Sequence, residues 1–305
     1  MRKTFVNSLI QNSRDNKNIY LLTADLGFKL FDEFRSRYSD RFFNIGISEA
    51  NMIGIAAGIS LSGKIVYCYS IIPFLIMRAF EQIRVDIAYQ NLNVKLIGVG
   101  GGFTYGLEGF THFGIEDLCL IRTLPNMTVV VPADPVESNF FAQFSLKHEG
   151  PMYIRLGKSG EPRIHEKIPD IRIGKALIIK EGKDLAIFAM GSMVYKGLQI
   201  VDMLSSKGFE ATLINMHTLQ PFDFDIVKQV ASQFDIIFSI EEHSIYGGLG
   251  SSISEVLAEN GFNGRFSRIG ISMLNDYIGD TEQMLHRCGL SVKELYNKIY
   301  FEMRK

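Results

Sequence analysis

Cysteine is scarce in this chain: 305 residues carry three, Cys68, Cys119 and Cys288, far apart and with no C-x-x-C pair. Such spacing excludes a disulfide framework and a thiolate zinc site, and it fits reduced thiols in a cytoplasmic protein. An excess of either charge is missing too, because 32 Lys and Arg balance 33 Asp and Glu to a formal net charge of -1. That balance gives no attraction to nucleic acid or to an anionic membrane surface. No apolar run approaches the ~20 residues that a bilayer requires. The first residues, MRKTFVNSLIQNSRDNKN, are basic, but Asn, Ser and Gln interrupt the apolar positions. They form an amphipathic helix rather than a signal peptide. Fixed-period repeats and low-complexity segments are also lacking.

What is present is a regular alternation. Apolar runs at Asn18–Thr23, Lys64–Tyr69, Val94–Val99, Met127–Val131 and Met152–Leu156 have the length and composition of buried parallel strands. Helical patterns separate them, above all Pro73–Gln90, with proline at its first turn and a broad apolar face, and the helix that Pro132-Ala133-Asp134-Pro135 starts. Gly114–Arg122 is helix-like. Strand alternating with helix implies a doubly wound, mostly parallel α/β sheet. From 161 to 173 the composition shifts to Lys, Glu, Pro, Arg and His without periodicity, which marks a linker between a domain at 1–160 and a smaller α/β domain at 174–305. Strands at Asp184–Met190, Glu210–Asn215, Asp235–Ile240 and Phe266–Ile269 are expected there, with helices near Val194–Ser206, Asp225–Gln233, Gly250–Glu259 and Val292–Glu302.

The stretch Arg41–Gly58, RFFNIGISEANMIGIAAG, organises the first half. Arg41–Ile45 is a short run expected to be a buried strand, Gly46 breaks it, and Ser48 can cap a helix whose apolar positions are Met52, Ile53, Ala56, Ala57 and Ile59. Glu49 then falls in the first turn of a largely buried helix. Two explanations stand for it: a carboxylate complementing the helix dipole, or a functional group in a Gly-flanked turn. His112 lies in a Gly-rich loop beyond the strand Val94–Val99, on the side where open α/β sheets bind ligands. An incidental surface histidine is the alternative. Arg155, inside the apolar strand MYIRL, needs a carboxylate or a bound phosphate as partner. Phe74 is by default a core aromatic.

Other motifs lead away from chemistry. Gly100-Gly101-Gly102 fails the G-x-G-x-x-G spacing, and no P-loop lysine follows it. Gly247-Gly248-Leu249-Gly250 permits a tight turn and close helix packing, or else an anion at a helix N-terminus. His217 and His243 follow strands and suit structural or interface roles. No metal-ligand spacing and no G-x-S-x-G element occur.

Taken in order, Thr23-Ala24-Asp25-Leu26, Phe42–Gly58, Phe74 with Arg78–Arg84, Gly106–Glu116, Val131–Asp134, Tyr153-Ile154-Arg155 and Glu241–Gly250 resemble the C-terminal half of a transketolase-family thiamine diphosphate enzyme. That half comprises a pyrimidine-binding domain and a C-terminal domain. The resemblance implies that Glu49 hydrogen-bonds N1′ of the aminopyrimidine, favouring the imino tautomer whose 4′ nitrogen takes the proton from C2 of the thiazolium. For that task a carboxyl in an apolar pocket is expected. It further implies that Phe74 stacks on the pyrimidine, flanked by Ile71 and Met77 where many relatives have aromatics. His112 approaches the 4′-amine and the substrate, Glu108 contacts a donor hydroxyl, and Arg155 grips a sugar phosphate. Gly100 stands where relatives carry a second cationic phosphate ligand.

The diphosphate-binding domain of this family is not in the chain, and Gly279-Asp280 lacks the following glycine and downstream asparagine of its metal motif. A partner N-terminal subunit is therefore implied. It would hold the diphosphate and Mg2+ (or Ca2+), and the assembly would contain two copies of each subunit. The expected reaction is transfer of a two-carbon ketol unit from a ketose to an aldose. Alternatives are the β subunit of a 2-oxo-acid dehydrogenase, a split deoxyxylulose-phosphate-synthase-like enzyme, and a non-catalytic paralogue.

Overall fold

Six apolar runs in the first part of the chain become the strands β1 (Ile19–Thr23), β2 (Phe42–Asn44), β3 (Ile65–Ile71), β4 (Val94–Val99), β5 (Thr128–Val130) and β6 (Met152–Leu156). In the computed structural model, which describes residues 1–158, 160–272 and 277–304, the chain divides into two compact units. The first holds 1–101 and 120–168, the second 102–119 and 169–305.

In the first unit the strands lie in the order β5-β6-β4-β3-β1-β2, every pair parallel. The central strands are buried on both faces, as their unbroken apolar runs require. Each such Leu, Ile or Val contributes about 1.5–3 kcal/mol through the area it removes from water. The crossovers carry α1 (Arg2–Asn12), α2 (Asp32–Arg37), α3 (Glu49–Leu61), a short α4 (Phe80–Gln82), α5 (Asp117–Ile121, which spans the division) and α6 (Pro135–Lys147). α1 packs on α6, and its Phe5, Val6, Leu9 and Ile10 are buried. Asp134 caps α6, accepting from Glu137 N at 2.9 Å, and its second oxygen accepts the backbone amides of Ile164 and His165. His165 Nε2 meets Glu137 Oε1 at 2.8 Å, so the start of the segment expected as linker is fastened to this unit.

Three local expectations change. The strand β2 is not buried: it is the sheet edge, with one strand neighbour, and Phe43 is 39% exposed. Ile59 of α3 is only half-buried, while Met52, Ile53, Ala56 and Ala57 are core. The helix expected over 73–90 is a wider winding, π-helical at Pro73–Met77 and Ile83–Ala88 on either side of α4. Apolar periodicity over so short a span does not resolve one extra residue per turn. Such widened turns recur at functional sites.

The second unit has a five-stranded sheet in the order β12-β11-β8-β9-β7. Its strands are β7 (Leu177–Lys180), β8 (Leu185–Ala189), β9 (Ala211–Asn215), β11 (Ile236–Ser244) and β12 (Arg265–Ile271); the short β10 (Thr218–Gln220) is not part of this sheet. Only β7 runs antiparallel to its neighbour. The helices α7 (Met193–Ser205), α8 (Phe224–Gln233), α9 (Leu249–Glu259), α10 (Thr281–Arg287) and α11 (Val292–Glu302) accompany it. Among the described residues no helix is long and apolar enough to cross a membrane. Both sheets match the doubly wound, mostly parallel α/β architecture expected from the alternation.

Candidate active site

The turn Gly46-Ile47-Ser48 leads from the edge strand into α3 and fixes Glu49 at the first helical position. Gly46 adopts φ +77°, a left-handed conformation costly for residues with a Cβ. Ser48 is the N-cap residue but its hydroxyl makes no capping bond, contrary to the sequence expectation. The Glu49 side chain is turned inward and only 1% exposed. Ser70, at the carboxyl end of β3, donates its hydroxyl to Oε1 at 3.1 Å. Arg78 donates Nη1 to Oε2 at 2.5 Å. The carboxylate therefore has a hydroxyl on one oxygen and a guanidinium on the other, where the sequence suggested apolar surroundings.

Phe74 is on the first π-helical turn, half-buried, and Arg78 terminates that turn. The Arg78 guanidinium carbon stands 4.8 Å from the Phe74 ring centroid, within cation–π range. One side chain thus touches both Glu49 and Phe74, so the carboxylate and the aromatic ring meet around the same planar guanidinium. Ile71, buried, closes β3 beside Ser70, and Met77 is 39% exposed on the same helical turn. Sequence reasoning named Phe74, Ile71 and Met77 but gave Arg78 and Ser70 no part. The Phe74–Arg78 spacing of four residues on a helix was the available signal for one of them.

Arg155 belongs to the same unit. It is buried on β6, opposite Gly98 of β4 in the ladder. Its guanidinium lies against Gly101, where a Cβ would come within 2.8 Å of Nη1. A glycine there is what lets the arginine occupy its place.

Glu108 and His112 belong to the other unit. They sit on consecutive 3-10 turns, Gly106–Glu108 and Phe110–His112, of a loop closed by a two-bond bridge between Gly102 and Gly114. The loop is fastened from below by Glu242, whose Oε1 accepts the Phe103 amide at 2.9 Å while its Oε2 accepts the Ser192 hydroxyl at 2.6 Å. Thr281 adds a bond to the Phe103 carbonyl at 3.0 Å. Glu108 is exposed; His112 is half-buried, with Nδ1 2.9 Å from Thr111 Oγ1 and its ring edge toward Tyr105. Farther along, burial, then the neighbouring Asp117 charge, pushes the Glu116 carboxyl up.

In the same unit, the glycines at 247–250 serve packing. Gly248 leaves room for Glu241, whose two carboxylate oxygens accept the Leu249 and Gly250 amides at the start of α9, each at 2.8 Å. His217 and His243 are both fully buried, with Nδ1 bonded to Thr218 Oγ1 and to the Ser244 carbonyl respectively, each at 2.8 Å. Among the described residues no group of three or more His, Cys, Asp or Glu is placed to hold a metal ion.

Residues 1–162 match the model of the transketolase pyrimidine binding domain, and residues 174–295 that of the transketolase C-terminal domain. The chain belongs to the transketolase family. Thiamine diphosphate dependence is a property of that family. The chain is 34% identical over 291 residues to an apulose-4-phosphate transketolase subunit of Phocaeicola vulgatus, covering 95% of this chain and 93% of that protein. It is also 34% identical over 296 residues to the 6-deoxy-6-sulfo-D-fructose transketolase subunit SqwH of a Clostridium species, covering 97% and 92%. Among solved structures it resembles a split gene transketolase in the form of an inactive beta4 tetramer, with a TM-score of 0.88 and 34% identity over 99% of this chain and 97% of that one. This transketolase-family chain is thus similar over nearly its whole length to proteins that are themselves single subunits.

Proposed function

We propose that this chain is the C-terminal subunit of a two-subunit transketolase, which moves a two-carbon ketol unit from a ketose to an aldose. The observation that carries this reading is the grouping of Glu49 and Phe74: a buried carboxylate and an aromatic ring, both in contact with one planar group. An aminopyrimidine needs that set, a carboxyl for N1′ and a ring for its face. When bound, thiamine diphosphate supplies the electron sink for breaking a C–C bond beside a carbonyl.

The chain's own residues then have definite tasks. Glu49 holds a proton at N1′, Ser70 fixes the carboxylate's rotation through Oε1, and Phe74 sets the plane of the ring. Ile71 and Met77 give aliphatic contacts. His112 and Glu108 serve the substrate oxygens, and Arg155 the phosphate of a phosphorylated sugar. On this reading 1–160 is the pyrimidine-binding domain, 161–173 the linker and 174–305 the C-terminal domain; positions 159, 273–276 and 305 lie outside the described residues. A partner N-terminal subunit holds the diphosphate and Mg2+ (or Ca2+), with two copies of each subunit in a cytoplasmic heterotetramer. The free thiols of Cys68, Cys119 and Cys288 accord with that compartment.

The test is reconstitution. The purified chain is assayed alone and mixed with a diphosphate-binding subunit, thiamine diphosphate and Mg2+, with a ketose and aldose or with a 2-oxo acid. Ketol transfer by the mixture alone is expected. Transfer by the isolated chain, or turnover of 2-oxo acids only, would overturn the reading.

A further inference from the structure

We infer that Arg78 is a latch on the pyrimidine slot: its guanidinium stands where the cofactor's aminopyrimidine docks and has to swing outward before that ring can enter. The inference rests on the proposed thiamine diphosphate site. Its basis is that a single side chain occupies both groups the ring would use. Arg78 Nη1 takes Glu49 Oε2, and its planar face lies over Phe74 at 4.8 Å. A guanidinium is flat, cationic and an N–H donor, the same features that a protonated aminopyrimidine offers to a carboxylate and an aromatic ring. A ring that stacks on the same face of Phe74 and bonds the same oxygen competes directly with the guanidinium for its place.

The burial of the two partners differs in the way a latch needs. Glu49 is 1% exposed and the Arg78 side chain 45%, so the carboxylate is fixed while the cation sits at the rim with solvent to move into. Without a cation, an ionised carboxylate at this depth would be left uncompensated. Arg78 supplies that compensation in the cofactor-free chain. Because the arginine is half-exposed at the rim, it can leave both contacts for solvent once a competing cationic ring takes its place. Opening the latch draws on a minor share of the cofactor's binding energy, and the closed latch covers the site until the ring arrives.

The test compares the wild-type complex with its Arg78→Gln and Arg78→Lys forms, by calorimetric titration with thiamine diphosphate in Mg2+. When the competent state is a fraction of the population, apparent affinity falls by that fraction, so Arg78→Gln should bind about tenfold more tightly. Arg78→Lys keeps a cation without the planar face and should tighten binding less. Thermal unfolding gives a second readout: Arg78→Gln should melt below wild type without cofactor, and the gap should close with cofactor bound. Equal or weaker binding by Arg78→Gln, with wild-type binding intact, overturns the latch alone. A wild-type complex that takes up no thiamine diphosphate overturns the site and the latch together.

Discussion

Gly101→Ala isolates the role of Arg155 without replacing it. The Cβ introduced would lie 2.8 Å from Arg155 Nη1 and 2.9 Å from Cζ. Ordinary contact begins near 3.4 Å, so the guanidinium must shift by about 0.6 Å in a close-packed interior. Gly101 has no left-handed φ, so alanine meets no backbone strain there. The displaced group is the end of a flexible side chain, which keeps the cost in stability to about 1 kcal/mol. Function should be less forgiving, since a misplacement near 1 Å at a positioning residue costs on the order of 100-fold. If Arg155 grips a phosphate, KM for a phosphorylated ketose should rise about tenfold in the reconstituted enzyme, a shift of 0.6 Å being short of that full loss, while an unphosphorylated ketose is handled as before. Steady-state kinetics on both substrates read this, with urea unfolding as the control. Unchanged KM values for both, or an equal loss for both, would refute the assignment of Arg155 to phosphate.

Two further predictions concern stability. Burial pushes the Lys95 amine down to about 7 against the ordinary 10.5, although the Glu149 charge pulls it the other way, and Nζ donates to the His148 and Gly150 carbonyls. Between those values the unfolded chain binds the proton and the folded one does not, so stability rises with pH, by about 2 kcal/mol from pH 7 to 9. The difference in urea midpoints between wild type and Lys95→Met should track that rise; parallel pH profiles would refute it. Gly248→Ala should cost about 2–4 kcal/mol, because a Cβ 2.1 Å from Glu241 Oε2 forces the carboxylate off the two amides that it caps. A loss below about 1 kcal/mol in urea unfolding would mean that Glu241 finds another arrangement.

How much of this is legible in the sequence depends on distance along the chain. Strands buried on both faces, such as β3, β4, β8 and β9, announce themselves as unbroken apolar runs. The edge strand β7 is mostly half-exposed and β10 is three residues long, so neither carries that signal. The helix α10 does carry one, a capping box of Asp280 and Gln283, which the apolar pattern alone overlooks. Glu49 is legible because a helix start is a local feature. Its pairing with Arg78 spans 29 residues, and the tie of Glu242 to the loop at Phe103 spans 139, so neither follows from any local pattern. Residues 102–119, which carry Phe103, group with the second unit, which contains Glu242.

The central claim is that Glu49 moves a proton for a cofactor whose diphosphate another subunit holds. Exchange of the C2 proton of thiamine diphosphate for deuterium, followed by rapid quench and NMR in the reconstituted complex, measures that step without any sugar. Glu49→Ala should slow the exchange about 10²–10⁴-fold while leaving the fold intact. Exchange at the wild-type rate in that variant would contradict the account.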